Sequence, residues 1–363
     1  MRTRALVVLV AMLLIAACTN TGASQAPSSP PASQPGGTSG SPAATSSGGP
    51  SGELKIGMVT DIGQLEDKSF NEYSWKGVQD GAAAVGAEAP QVIVTNDTAD
   101  YKANIQSLVD DGYNVIVTVG FLIGTDTRQA AIVNQDIQFL GVDQFVAAPA
   151  PANYQGILFA EAQPGYLAGI VAASISKSGV IGTVGGRSDV PPVLAYINGY
   201  KNGAMSVNPN IKVIVNYTED FNAPDKGQTA AKAMIGQKAD VIFQVAGLTG
   251  AGALRAACDA KIWGIGVDVD QSKSLPDVAP CIVTSAEKKL QNAVKAAIER
   301  AATGKQTDNF FNDASNDGIG LSPFTNVDIP ADVQSKIDAA LNGFKDGSLD
   351  PCKPTACDDA TAG

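Results

Sequence analysis

The stretch Gln91-Val92-Ile93-Val94-Thr95 … Asn114-Val115-Ile116-Val117-Thr118-Val119 reads as two strands with a helix between them. The second run is apolar or β-branched after its first residue, with no alternation, as expected of a strand covered on both faces. Between the runs, Tyr101, Ile105, Leu108 and Val109 fall at i, i+4, i+7 and i+8, one face of a helix. Strand, helix, strand in this order is the unit of a parallel sheet.

Working outward, the same alternation recurs. Further strand candidates are 54–60, 137–142, 156–159, 180–184, 212–216, 239–245, 262–267 and 281–284. Leu290, Val294, Ala297 and Ile298 repeat the helical spacing, as do Val333, Ile337, Ala340 and Leu341. About ten strands exceed what one doubly wound sheet commonly holds, so two α/β lobes are expected. Ligands of such sheets bind at the carboxyl ends of the strands. Two facing lobes would therefore form a cleft lined by strand-end loops.

Composition narrows the function. The chain has 363 residues, 44% hydrophobic and 17% charged, with a net charge of −11 and no histidine. Such acidity disfavours nucleic acid and anionic lipid as partners. Without histidine there is no Ser-His-Asp or Cys-His nucleophile and no imidazole metal ligand. Gly247, Gly250 and Gly252 lack the Gly-Lys-Ser/Thr ending of a phosphate loop, and read as a tight strand-to-helix turn. No metal and no cofactor is expected.

The ends carry their own signals. Arg2 and Arg4 precede an uncharged run over 5–17, too short to span a bilayer and proportioned like a secretory signal. It ends in Ile15-Ala16-Ala17-Cys18, which resembles a lipobox whose cysteine is lipidated after cleavage. Residues 19–52 hold Ser, Gly, Pro, Ala, Thr, Gln and Asn, with no charge and no large apolar side chain, the composition of a flexible tether. Four cysteines remain: Cys258, Cys281, Cys352 and Cys357. An even number in an exported chain favours disulfides. Cys352 and Cys357 in the Pro-rich tail would close a small loop and leave Cys258 with Cys281; buried free thiols are the alternative.

Unusual polar residues gather after the strands: Thr60-Asp61, Gly141-Val142-Asp143, Val245-Ala246-Gly247, Gly266-Val267-Asp268, and Ser285 to Lys288 after the last strand. A strand-end aspartate alone is often a cap or turn residue. Three on different strands, with a lysine after another, point to a polar pocket.

The run Val59-Thr60-Asp61-Ile62-Gly63 … Asp67-Lys68-Ser69-Phe70-Asn71 … Trp75-Lys76-Gly77 resembles the basic membrane protein family, substrate-binding lipoproteins of ABC importers. The likeness continues through Glu161 to Gly169, Gly185-Gly186, Phe221 to Gly227, Gly266-Val267-Asp268-Val269-Asp270-Gln271 and Thr284-Ser285 … Lys288. It implies the type I periplasmic-binding-protein fold, two Rossmann-like lobes joined by three crossovers. The expected organisation is a signal peptide over 1–17, lipidated Cys18 and tether over 18–52, a binding domain over 53–350 and a Cys-containing tail over 351–363. Its first lobe would take about 53–160 and 284–310, its second about 161–283 and 311–350.

The resemblance also implies a ligand set. Phe70 and Phe221 would sandwich a base and Asp61 would face its edge. Asn71 stands beside Phe70; Asp143, Asp268, Lys288 and the backbone of Gly247 would face a ribose. Stacking suits any flat base, and ionised carboxylates accept from base N–H and sugar O–H groups. Lys288 would offset carboxylates that otherwise repel one another. No Arg cluster is present to take a phosphate, so a nucleoside, purine favoured, is expected over a nucleotide. Gln64 and Asn222 depart from the family pattern and flank these positions, which bears on base preference. The expected protein is a monomeric, non-catalytic receptor, lipid-anchored on the extracytoplasmic face of the membrane, that serves ABC permease subunits. Receptors for a sugar or another small polar ligand, a sensor without a transporter, and a nucleoside-hydrolase-like enzyme are the alternatives; the dense run of Asp that such a hydrolase uses after its first strand is absent.

Overall fold

The computed structural model describes residues 53–358; the expected signal peptide, Cys18 and tether lie outside them. The first half runs β1 (Ile56–Ile62), α1 (Phe70–Ala84), β2 (Gln91–Thr95), α2 (Tyr101–Asp110), β3 (Val115–Val119), α3 (Gly124–Val133), β4 (Gln138–Val142) and β5 (Tyr154–Phe159). It continues with α4 (Ala162–Ile175), β6 (Val180–Gly185), α5 (Pro191–Val207), β7 (Lys212–Tyr217), α6 (Pro224–Gly236), β8 (Val241–Val245), α7 (Gly247–Asp259) and β9 (Trp263–Asp268). The last part is α8 (Gln271–Ser274), β10 (Ile282–Lys288), α9 (Leu290–Thr303), β11 (Asn309–Asn312), β12 (Ile319–Leu321) and α10 (Ala331–Asp346).

The strands form two six-stranded sheets, ordered β11-β5-β4-β3-β1-β2 and β12-β10-β9-β8-β6-β7. All pairings are parallel except β12 against β10. The fold is thus α/β with two mostly parallel sheets. Every residue of β3, β4 and β8 is buried, which accounts for their mostly apolar, non-alternating sequences. Each Val or Ile so buried contributes roughly 1.5–3 kcal/mol. Local chemistry sets the helix ends: prolines open α5 and α6, and Gly347 closes α10 at φ 73°. Among the described residues no helix is long and apolar enough to cross a membrane.

Sheet membership shows three crossings between lobes: after β5, after β10 and after β11. One boundary differs from expectation. Residues 284–288 were expected in the first lobe, with Ser285 to Lys288 as a loop, but Ile282–Lys288 is a strand of the second sheet, parallel to β9. All of its residues are buried, and a strand pairs the backbone groups that a buried loop would leave unsatisfied. The chain returns to the first lobe with α9, which packs on α1, and stays there through β11. β11 and β12, of four and three residues, are too short to carry a period and were not expected.

The structure joins Cys258 to Cys281 and Cys352 to Cys357. The second bridge closes the tail loop, which docks on α5. Asn202 Nδ2 donates to the carbonyls of Pro351 and Thr355, both at 2.8 Å.

Candidate functional site

In both sheets the strand order reverses beside the first strand of the lobe, at β1/β3 and at β6/β8. Ligand crevices open at such switch points, outside the carboxyl ends of the strands. Here those ends face each other across a cleft of about 680 Å³, counting its mouth, whose lining includes Asp61, Phe70, Asn71, Asp143, Phe221, Gly247, Asp268 and Lys288. The structure therefore brings all eight expected site residues together, although they come from both lobes.

Asp61 sits near the end of β1, where the register with β2 slips between Val59 and Ile62. Its Oδ1 accepts from the Tyr101 hydroxyl and, at 2.7 Å, from the Ile62 backbone N–H. Its Oδ2 lies against Gly120, where an added Cβ would stand only 1.9 Å away; glycine at φ +98° is what lets the carboxylate settle there. Burial pushes the Asp61 carboxyl up to about 6, against the lowering effect of Tyr101 and Ile62.

Phe70 opens α1, and the preceding loop is tied down by Asp67. Its carboxylate accepts from the backbone N–H of Ser69 and Asn71, each at 2.9 Å, and of Glu72 at 3.2 Å. Burial nevertheless raises Asp67 to about 7. Across the cleft, Phe221 lies on Gly186, where a Cβ would meet the ring at 2.1 Å. The Phe221 carbonyl accepts from Thr249 N at 3.1 Å, holding the loop to α7. Gly247 begins α7 beside that carbonyl.

Asp143 and Asp268 occupy matching places, each ending a Gly-Val-Asp strand terminus at positive φ, 58° and 63°. Aspartate tolerates this left-handed conformation better than most residues, and such strain tends to collect at functional sites. Neither side chain caps a helix. Asp268 Oδ2 accepts from the Ser69 hydroxyl of the other lobe at 2.6 Å. Asp143 Oδ2 accepts from Lys288 Nζ at 2.5 Å.

Lys288 is 3% exposed and also donates to Glu161 at 3.2 Å. Its ammonium lies 4.9 Å from the Phe70 ring centroid and 5.1 Å from that of Phe159, within cation–π range. Burial disfavours its charge, but Asp143, Glu161 and Asp268 outweigh burial and hold the lysine protonated above its usual range. Burial raises Asp268 and Glu161 in turn, with Lys288 pulling both back. Asp143 Oδ1 and Asn71 Oδ1 are buried with no donor among the described residues. The cleft thus offers two aromatic faces, several acceptors and one fixed ammonium, a setting for a flat molecule rich in O–H and N–H donors.

Several contributors were not singled out from sequence. Tyr101 was read only as a helix-core position, which it also is. Tyr196 lines the cleft from α5 and Phe121 from the loop after β3. Glu161 lay within a quoted motif without a role. No local pattern marks these residues, because their partners are distant in the chain.

Two facing parallel-sheet lobes with such a cleft define the type I periplasmic-binding-protein fold. A solute-binding protein of an ABC transporter system from Aeropyrum pernix superposes with a TM-score of 0.74 at 23% identity, covering 82% of this chain and 92% of that one. Another from Conexibacter woesei gives 0.63 at 25% identity, covering 82% and 98%. The family model described as "ABC transporter substrate-binding protein PnrA-like" matches residues 54–342, and the chain belongs to that family. Among its relatives, the ABC transporter nucleoside-binding protein BmpA of Lactococcus lactis is 33% identical over 272 residues, 70% of this chain and 76% of its own. Basic membrane protein A of Borreliella burgdorferi is 31% identical over 244 residues, 66% and 70% respectively. The family consists of substrate-binding proteins of ABC transporters rather than enzymes.

Proposed function

We propose that this protein is the lipid-anchored extracytoplasmic receptor of an ABC importer, and that it captures a nucleoside, purine favoured, and hands it to the permease. The observation that carries the ligand class is the pair Phe70 and Phe221, which line one cleft with Asp61, Asp143, Asp268 and Lys288. Two rings can stack a base, at about 1–3 kcal/mol per ring by analogy with single-stranded nucleic acids. The carboxylates accept from sugar hydroxyls, and Lys288 keeps them together. The relative named as nucleoside-binding supports this reading. A phosphate finds little welcome, since the buried ammonium already has two carboxylate partners. Ligand contacts on both lobes would favour the closed state, the form a permease would recognise. Anchoring through Cys18 would hold the receptor at the membrane.

The test is calorimetric titration of a fragment starting near Ser51, unfolded and refolded to strip carried-over ligand. The panel is adenosine, guanosine, inosine, cytidine, uridine, free bases, ribose and AMP. The expected result is micromolar or tighter binding of nucleosides with ribose and AMP inert. Silence toward nucleosides with binding of a sugar would transfer the cleft to that class.

A further inference from the structure

Tyr101 is 2% exposed and packs with Ile105 and Leu108 in the core beneath the first sheet. Its hydroxyl does more than fill space, because it donates to Asp61 Oδ1. Ile62 N–H donates to the same oxygen. One oxygen of the carboxylate therefore carries two donors, whereas among the described residues none donates to Oδ2, which sits over Gly120 at the cleft wall. The carboxylate is held against rotation and presents a single acceptor. The charges acting on it are Asp143, which repels, and Arg187, which attracts but is itself paired with Asp189 at 2.9 and 2.7 Å.

We propose that Tyr101 is a positioning residue that makes Asp61 a one-sided hydrogen-bond acceptor, so that the cleft selects nucleobases bearing an N–H on the edge presented to Asp61 over bases with only bare ring nitrogens. This rests on the nucleoside reading above. The chemistry of protonation adds a consequence. A proton taken up by Asp61 goes to Oδ2, the oxygen not already holding two donors, and turns the acceptor into a donor. Burial holds the Asp61 carboxyl near 6 with the Tyr101 hydroxyl pulling it down; without that hydroxyl the carboxyl sits higher, and the selection weakens at neutral pH.

The test compares inosine, which has a ring N–H, with purine riboside, whose base has none. Affinities are measured from pH 5 to 8 on the full chain in detergent, stripped of ligand. The wild type is expected to prefer inosine by about tenfold or more at pH 7.5, with the preference fading below about pH 6. In Tyr101→Phe, which keeps the ring, the preference should shrink by about fivefold and its fading should move to higher pH. Tyr101 replaced by 3-fluorotyrosine, a stronger donor, should move it to lower pH, and this arm decides the matter even where the Phe variant melts early. Equal wild-type affinity for the two ligands, or a preference and pH midpoint unchanged in both variants, overturns the inference while the nucleoside reading stands. Wild-type silence toward every nucleoside overturns both.

Discussion

Phe70 is half-buried, its ring beside the Lys288 ammonium on one side and open to the cleft on another. Phe70→Ala removes the proposed stacking face and should weaken nucleoside binding by about 1–3 kcal/mol. Titration measures the loss, and a melting curve checks that the fold survives. A variant that unfolds would mark Phe70 as a core residue and remove the stacking argument. At this scale the sequence was informative wherever a residue had an unusual address, as Asp143 and Asp268 do after their glycine-marked strands. Tyr101 shows the limit: its helical spacing described its ring correctly and was blind to its hydroxyl, which meets Asp61 across 40 positions of chain.

Among the elements, α7 and the short turn leading into β10 are bound covalently through Cys258 and Cys281, 23 positions apart. Closing a loop of that size restricts the unfolded chain by about 3 kcal/mol in the entropic account. Cys258→Ala with Cys281→Ala should lower unfolding free energy by about that amount in denaturant titration, with ligand affinity nearly unchanged because neither cysteine lines the cleft. Ten strands were legible from sequence because central parallel strands are mostly apolar without alternation and helices keep their 3.6-residue period. β11 and β12 were not, being short and placed only by pairing with β5 and β10. The same cause moved the lobe boundary, since nothing local says which sheet accepts Ile282–Lys288.

For the whole molecule, the closed cleft concentrates carboxyls with raised pKa. Asp61 near 6 and Asp67 near 7 bind more protons folded than unfolded between about pH 4 and their folded values. Their effect is greatest stability at the acid end, lost as pH rises through the folded pKa. Surface carboxyls held low by cations, such as Glu72 and Asp220, act oppositely but only as pH falls toward about 4 and below. The ligand-free protein should therefore melt a few degrees higher at pH 5 than at pH 7.5, by calorimetry. A higher melting temperature at pH 7.5 would contradict the burial of these groups.

Fold class followed from the sequence alone because periodicity and strand-end turns are local properties, written within a dozen residues. The same text pointed to the strand ends as the place of a site, since parallel sheets place their crevices there. Which lobe each segment joins, that Lys288 binds Asp143 and Glu161 at once, and that the Tyr101 hydroxyl meets Asp61 were settled only by folding. Those facts rest on distances between residues far apart in the chain, and such distances exist only once the chain has folded.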